Sequence, residues 1–273
     1  YTITIPQGED ARLVIDVQAE EGASAAFLFR LEKGASLSLT WKLTGGDREG
    51  TCVLAAYYEL AEDARLHVSR LESGLTKTII YDQRHSVLAA RARADFYAAE
   101  LGGEKIIVHS YGKLSGDASE MNERAIYAGR GRQHLDFFYH IDHVGKKTKA
   151  EIDLKGALAD ESKKIFRGTL DFKRGCAGSV GDEGDFAIQL DPKTKNISLP
   201  LLLCTEDDVQ GNHASSAGQL DQNTIYFLMS RGFTLEEARR IVVEALIRPI
   251  IDGMDEALRE EVLNAVRMKL DRE

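Results

Sequence analysis

The chain has 273 residues, of which 43% are hydrophobic and 29% charged, and its formal net charge is −9 at pH 7. This length predicts one large domain, or a main domain with an appendage. The acidic balance disfavours nucleic-acid binding, and no apolar run reaches the roughly 18–20 residues of a membrane-spanning helix. The three cysteines, Cys52, Cys176 and Cys204, include no Cys-x-x-Cys pair and are too few for a disulfide framework, so we expect a cytoplasmic protein.

Short strand-like segments follow one another up to about residue 218. In residues 35–43 apolar residues alternate with small or polar ones, which is the period of a half-buried strand. Turn-forming Gly, Asp, Asn and Ser separate such segments, and a helical period is never sustained for more than about two turns. The predicted strands are 35–43, 51–60, 64–71, 76–81, 105–111, 124–129, 134–143, 149–158 and 164–172.

Periodicity alone leaves two all-β architectures open for residues 1–218. A sandwich or barrel of hairpins would favour Asn-Gly or Asp-Gly turns, and neither dipeptide occurs in this region. A parallel β-solenoid, whose short coils stack to bury a shared core, fits equally well, although no clean repeat is visible.

From residue 219 to residue 273 the pattern is helical. A first helix is predicted over 221–231, with Gly232 as its stop, and the capping box Thr234–Glu237 opens a second. Pro249 is expected to end or kink that second helix, and Asp255 opens a third. The apolar face of the second helix is predicted to run through Ala238, Ile241, Val242, Ala245 and Leu246. We expect the first helix to pack on the β region and the other two to offer a partner surface.

Three histidines, His134, His140 and His143, fall within ten residues. A self-contained metal site is one interpretation of this cluster. However, the side-chain period of a strand places His140 and His143 on opposite faces, so the pattern favours exposed or hydrogen-bonded strand histidines.

The segment 207–221 joins the β region to the helices and is rich in polar and charged side chains. A Ser–His–Asp hydrolase could use Ser215 or Ser216 with His213 and Asp208. Residues so close in sequence rarely reach that geometry, and no Gly-x-Ser-x-Gly motif is present. The structural alternative is that the polar residues of this segment only stabilise turns. A Gly-x-x-x-x-Gly-Lys nucleotide loop is also absent from the chain.

Two cysteines have distinct local contexts. Cys204 follows three leucines in an apparently buried strand, where a free Cys usually acts as a small hydrophobe. Cys176 lies in the glycine-rich turn 175–178, which predicts an exposed thiol.

The segment from Asp207 to Gly232 resembles the C-terminal hallmark of the SufB/SufD family, the scaffold subunits of Suf iron–sulfur cluster assembly. The similar motifs are Asp207-Asp-Val, His213-Ala, Gly218-Gln-Leu-Asp, and Tyr226-Phe-Leu-Met-Ser-Arg-Gly232. Upstream, Lys164-Ile-Phe-Arg-Gly-Thr-Leu170 and Pro200-Leu-Leu-Leu resemble two strands of the family. The resemblance extends from about residue 134 to the end of the chain.

The resemblance implies a right-handed parallel β-helix over residues 1–218, followed by a small helical domain over residues 219–273. It implies a non-enzymatic scaffold subunit that pairs with a SufB-like chain or with itself and works with a SufC-type ABC ATPase. It implies no tightly bound cofactor, only a transient iron–sulfur cluster or iron. The residues expected to dock the ATPase are Ile241, Val242, Leu246 and Leu258.

The resemblance also suggests where cluster or iron ligands would lie. His213 matches the family histidine at the nascent-cluster site. Two positions where family members carry cysteine are occupied here by Gly211 and Asp185, which makes the chain resemble a short SufD-like partner. We therefore expect His213 to act with Asp185 or Asp208, and Cys176 and Cys204 are weaker thiol candidates. The family's usual N-terminal helical segment is not recognisable.

Two other functions remain open from the sequence. One is a metal-binding protein that uses the three clustered histidines described above. The other is a β-helix polysaccharide-binding protein or enzyme, which would need carboxylates in an aromatic-lined groove. Aromatic residues make up only 7% of the chain, which disfavours the second.

Overall fold

The computed structural model describes residues 1–19 and 22–271. Within them, sixteen strands are followed by three helices. The strands are β1 Thr2–Ile5, β2 Asp10–Ala19, β3 Gly22–Leu31, β4 Ser36–Gly45, β5 Gly50–Leu60, β6 Arg65–Gly74, β7 Thr78–Leu88, β8 Arg93–Glu100, β9 Lys105–Leu114, β10 Glu120–Gly129, β11 His134–His143, β12 Lys149–Leu158, β13 Lys163–Phe172, β14 Ser179–Gln189, β15 Lys195–Cys204 and β16 Val209–Gly218. The helices are α1 Gln222–Ser230, α2 Leu235–Asp252 and α3 Glu256–Leu270.

The strands form two parallel eight-stranded sheets. Odd-numbered strands make sheet A and even-numbered strands make sheet B, each in chain order. Each strand pairs with the strand two positions along the chain, so that Thr2 pairs with Leu28 and Lys163 with Lys195. The result is a parallel β-solenoid of about seven turns, which decides between the two architectures that periodicity left open.

The core lies between the two sheets. On β11, Leu135, Phe137, Tyr139 and Ile141 point inward and are buried, while the residues between them face outward. Burying a large apolar side chain of this kind stabilises a fold by about 1.5–3 kcal/mol. Because neighbouring turns repeat the same alternation in register, the inward rows merge into one continuous core.

A structural repeat that is not evident from the amino-acid composition occurs at one corner of the solenoid. At this corner, a residue with positive φ precedes a small residue that is fully buried. The small residue closes the turn; for example, the Ala92 amide donates to the Ala89 carbonyl at 3.2 Å. The positive-φ residues are Gly34, Asp63, Arg91, Ala118, Lys147 and Gly178, and the small residues are Ala35, Ala64, Ala92, Ser119, Thr148 and Ser179.

The helix boundaries agree with the capping residues in the sequence. Asp221 caps α1, Thr234 and Glu237 form a reciprocal capping box on α2, and Asp255 caps α3. Of the two effects expected of Pro249, it does not end α2, because the helix continues to Asp252, and the kink stays a prediction.

Helices α2 and α3 cover the outer face of sheet B. Val243, Ile247 and Ile251 of α2 share a buried cluster with strand residues such as Ile126 and Ala128. The predicted apolar face of α2 is therefore rotated from the face that packs on the β region. The predicted packing of α1 is also wrong, because α1 contacts α2 and buries only Ile225.

Candidate functional site

The last turn of the solenoid, formed by β15 and β16, ends both sheets. His213 lies in the middle of β16 and is exposed. The segment 209–218 is therefore a strand and not the turn that its polar composition suggests. Asp221, and not His213, caps helix α1.

The strand register shows which residue lies next to His213. β14 and β16 pair so that Glu183 is the direct partner of His213, and Asp185 is the partner of Ser215. The resemblance to the SufB/SufD family suggests Asp185 as a companion of His213. Asp185 lies two residues beyond the register partner of His213.

Glu183 is buried, and no side chain among the described residues hydrogen-bonds to its carboxyl oxygens. Burial removes water from the carboxylate and raises the pKa of Glu183 to about 8. The side chain is therefore mainly protonated at neutral pH. Glu183 could not be identified from the sequence, because a lone Glu in a Gly- and Asp-rich segment gives no signal of burial.

Asp185 lies inside the solenoid in an ion pair with Lys164. Both side chains are buried, and the Lys164 ammonium also donates to the Tyr127 hydroxyl at 3.0 Å. Burial lowers the pKa of Lys164, and the Asp185 charge opposes that shift. Because Asp185 is enclosed and already paired with a cation, the structure does not support its predicted role as an iron ligand.

The other predicted ligands of the last turn are accessible. Asp208 lies exposed in the turn before β16, where its carbonyl accepts a hydrogen bond from Gly178 at 2.6 Å. Asp182 and Asn212 lie beside His213 in a shallow groove of about 340 Å³, and the Asn212 amide donates to Asp182 at 2.8 Å. This part of the surface therefore presents one imidazole together with nearby oxygen atoms of the kind that bind metals.

The hydrolase alternative finds no support in this geometry. His213 makes no hydrogen bond with Ser215, Ser216 or Asp208 in the described residues. A nucleophile and its general base need to lie within hydrogen-bonding reach of each other.

The predictions for the two cysteines are both wrong. Cys176 is buried, and burial raises the pKa of its thiol. Cys204 is exposed at the end of β15, because no further turn covers this strand. The exposed thiol is therefore in the same turn as His213.

The three clustered histidines do not converge. His134 is exposed at the start of β11, His140 faces outward, and His143 faces inward. The His143 ring stacks on Phe172 with centroids 4.3 Å apart, and burial lowers its pKa to about 4. The strand-histidine interpretation is thus correct, and a site made of these three residues is excluded.

The predicted docking residues differ in accessibility. Ile241, Val242 and Leu246 are half-buried, whereas Leu258 is fully buried within the chain and is not available to a partner. The neighbouring helix α1 adds exposed apolar side chains, with Tyr226 76% and Phe227 56% exposed. This part of the surface differs from the sequence prediction, in which the apolar side of α1 packs on the β region.

Comparison with known proteins accounts for these features. A family model described as "SUF system FeS cluster assembly, SufBD core domain" matches residues 14–246. The chain belongs to the SufBD family. The match extends through the solenoid and most of α2, well upstream of residue 134, where the resemblance was first recognisable.

Curated relatives from several bacteria agree with this family. Iron-sulfur cluster assembly protein SufD of Bacillus subtilis is 26% identical over 204 residues, covering 74% of this chain and 46% of the relative. A SufBD family protein of Mycobacterium leprae is 25% identical over 216 residues, covering 76% and 55%. SufD of Escherichia coli is 20% identical over 210 residues, covering 76% and 50%. The chain thus spans about half the length of these relatives.

The chain therefore contains a SufBD core domain, the domain that the family model assigns to the SUF system of iron–sulfur cluster assembly. Each helix in residues 1–19 and 22–271 is too short or too polar to cross a membrane.

Proposed function

We propose that this SufBD chain is a non-enzymatic scaffold subunit that holds iron or a nascent iron–sulfur cluster transiently at its last turn. The observation that carries the proposal is the exposed His213 on the uncovered strand β16. An imidazole is a ligand for iron, and when it replaces a thiolate it raises the potential of a cluster. The iron or cluster is cargo, and no tightly bound cofactor is expected.

The ligand set on this chain is incomplete by itself. Thiolates are the usual ligands of iron–sulfur clusters, and the position two residues before His213 is Gly211. Asp208 and the exposed Cys204 are the other accessible ligand candidates of this turn, and Asp208 lies five residues from His213 along the chain. We therefore propose that a second subunit contributes the remaining ligands, either a SufB-like chain or a second copy of this one.

Two features of the last turn support such pairing. β15 and β16 are edge strands, whose unpaired backbone groups readily bind another strand. The outward side of β15 also exposes an apolar row, which in a monomer costs solvation free energy. This row consists of Ile197, Leu199, Leu201 and Leu203.

We propose that a SufC-type ABC ATPase docks on the helices. The exposed side chains Tyr226 and Phe227 of α1, together with Ile241 and Leu246 of α2, offer an apolar helical surface. Interface centres are enriched in aromatic residues of this type. ATP hydrolysis belongs to that partner in this proposal, and the cytoplasm is the expected location, where the free cysteines would stay reduced.

Copurification tests the partnership. Co-expression with a SufC-type ATPase should yield a stable complex that Tyr226→Ser with Phe227→Ser weakens at least about tenfold. Val14→Ser is the matched control, because Val14 is exposed on the distant strand β2. The ATPase-docking proposal fails if no complex forms, or if the control weakens it equally.

Complementation tests the role of His213. In cells that depend on this Suf system, His213→Ala should reduce the activity of iron–sulfur enzymes while the purified variant keeps its unfolding temperature. Gln210→Ala, which alters an exposed residue of the same strand outside this groove, is the control. Unchanged iron–sulfur activity in His213→Ala would remove the proposed ligand role.

A further inference from the structure

A compact group of metal-ligating side chains lies on the outer face of sheet A, in the middle of the solenoid and not in its last turn. It consists of His140 and Asp142 on β11 and Asp171 on β13. One ligand atom from each residue lies within 4.8 Å of the others. The three side chains are only 20%, 11% and 10% exposed, so water is largely excluded from the space between them.

The two carboxylates are placed where they repel each other. Asp142 and Asp171 are direct partners in the parallel register of β11 and β13. Like charges at directly opposed positions destabilise a sheet, and the repulsion grows as water is excluded. A cation between the two aspartates removes this cost.

In the structure, the ammonium group of Lys173 lies beside both aspartates. Lys173 is bonded to Asp171, and its Nζ is 3.4 Å from Oδ1 of Asp142. The lysine side chain is 43% exposed, and it carries a single positive charge opposite two carboxylates. The site thus attracts positive charge, and the group that supplies it can move into solvent.

Tyr111 on β9 orients two of the three ligands. Its hydroxyl donates to Oδ2 of Asp142, and its ring stacks on His140 with centroids 5.3 Å apart. The remaining oxygen of Asp142, Oδ1, lies 2.9 Å from Nε2 of His140. Ligands that rise from rigid strands and are held by neighbouring side chains are typical of metal sites.

We propose that His140, Asp142 and Asp171 bind one first-row divalent cation of the class of Zn²⁺, Fe²⁺ or Mn²⁺, which replaces the ammonium of Lys173. One imidazole nitrogen and two carboxylate oxygens suit these metals. Metal–ligand bonds of about 2.0–2.2 Å draw the three side chains together, and water completes the coordination. The neutral imidazole binds through Nε2 and keeps its proton on Nδ1.

Metal titration of the full chain tests the site. Co²⁺ binding is followed by visible absorption and Zn²⁺ binding by calorimetry, both in the His213→Ala variant so that the last turn does not contribute through its histidine. We expect one metal ion per chain. His140→Ala and Asp171→Asn should each weaken binding at least about tenfold, and Tyr111→Phe should weaken it about tenfold or more. Lys173→Met should tighten binding, because it removes the competing cation.

His134→Ala is the matched control, because His134 lies exposed on the same strand but outside the group. The proposal is overturned if no ion binds, if His140→Ala and His134→Ala bind alike, or if Lys173→Met weakens binding. If His140→Ala does not fold, Asp171→Asn provides the same test. A negative result in the metal titration concerns only the proposed site on sheet A. The proposed role of His213 is tested separately by complementation.

Discussion

The carboxyl group of Glu183 on β14 and the imidazole of His213 on β16 occupy directly paired positions on neighbouring turns. The Glu183 carboxyl is buried and receives no hydrogen bond from a side chain within residues 1–19 and 22–271, while His213 is exposed. A protonated acid thus lies beneath the ligand that we propose for iron. Because burial raises the pKa of Glu183, its protonation is measurable through protein stability.

Stability should fall as pH rises through the range set by Glu183. Its pKa is about 8 in the folded chain and 4.5 in its unperturbed state, so the folded chain binds more protons between these values. The free energy of unfolding should therefore decrease by up to about 1.4 kcal/mol per pH unit across this window. Glu183→Gln should match the native chain near pH 5 and exceed its stability at pH 9, as measured by urea unfolding.

Glu9→Gln is the control for this experiment, because Glu9 is exposed. Buried Glu123, with a pKa of about 7, adds a slope that is common to both chains. An identical pH profile for Glu183→Gln and the native chain would contradict the burial of Glu183 as an acid.

The Lys164–Asp185 pair predicts a strong stability effect. Lys164→Met leaves the Asp185 carboxylate buried without its cation, which should cost about 3–5 kcal/mol of unfolding free energy. The double variant Lys164→Met/Asp185→Asn should lose less than the sum of the two single variants, because no uncompensated charge remains. Urea unfolding at neutral pH measures both quantities. Lys163→Met, at the neighbouring exposed position, should change stability little, and equal losses at 163 and 164 would refute the argument.

The contact between the helices and sheet B depends on a glycine. A Cβ atom added to Gly253, the residue that follows α2, would lie 2.1 Å from Cε1 of Tyr97. Tyr97 also accepts a hydrogen bond from Arg124 at 3.1 Å, so moving the ring disturbs a second contact. Gly253→Ala should therefore lower the unfolding free energy by about 1–3 kcal/mol in urea titration.

Gly46→Ala is the matched control, because nothing lies within 4 Å of its added Cβ. Equal stability of the Gly253 and Gly46 variants would show that Tyr97 is free to move away.

Sequence periodicity predicted strands best where apolar residues alternate strictly. The predicted segments 134–143 and 149–158 coincide with β11 and β12. β16, whose sequence is Val-Gln-Gly-Asn-His-Ala-Ser-Ser-Ala-Gly, has no such alternation, and it becomes a strand because β14 supplies a parallel template for its backbone. Isolated strand propensity contains no information about that template.

The same limit applies to the candidate site. His213 could be identified from the resemblance to a family, but its partner depends on the register between two turns about 30 residues apart. An error of one residue in that spacing would place the partner of His213 on the other face of the strand. An error of two residues would assign Asp185 instead of Glu183 as the partner. Cys176 and Cys204 were misassigned for a related reason, since burial depends on whether another turn covers the strand.

The corner repeat yields a prediction with opposite signs at two alanines. Ala118 is exposed and has a φ of 57°, a left-handed conformation that disfavours a Cβ atom. Ala118→Gly removes a strain of about 1–2 kcal/mol, and the entropy that glycine adds to the unfolded chain offsets about 0.5–1 kcal/mol of this gain. The unfolding free energy should therefore rise by a net amount of about 0.5–1 kcal/mol. Ala245→Gly, at an exposed position inside α2, should lower it by about 1 kcal/mol. Urea unfolding of both variants checks the comparison. Destabilisation of the same size at Ala118 would mean that the corner does not impose the left-handed conformation.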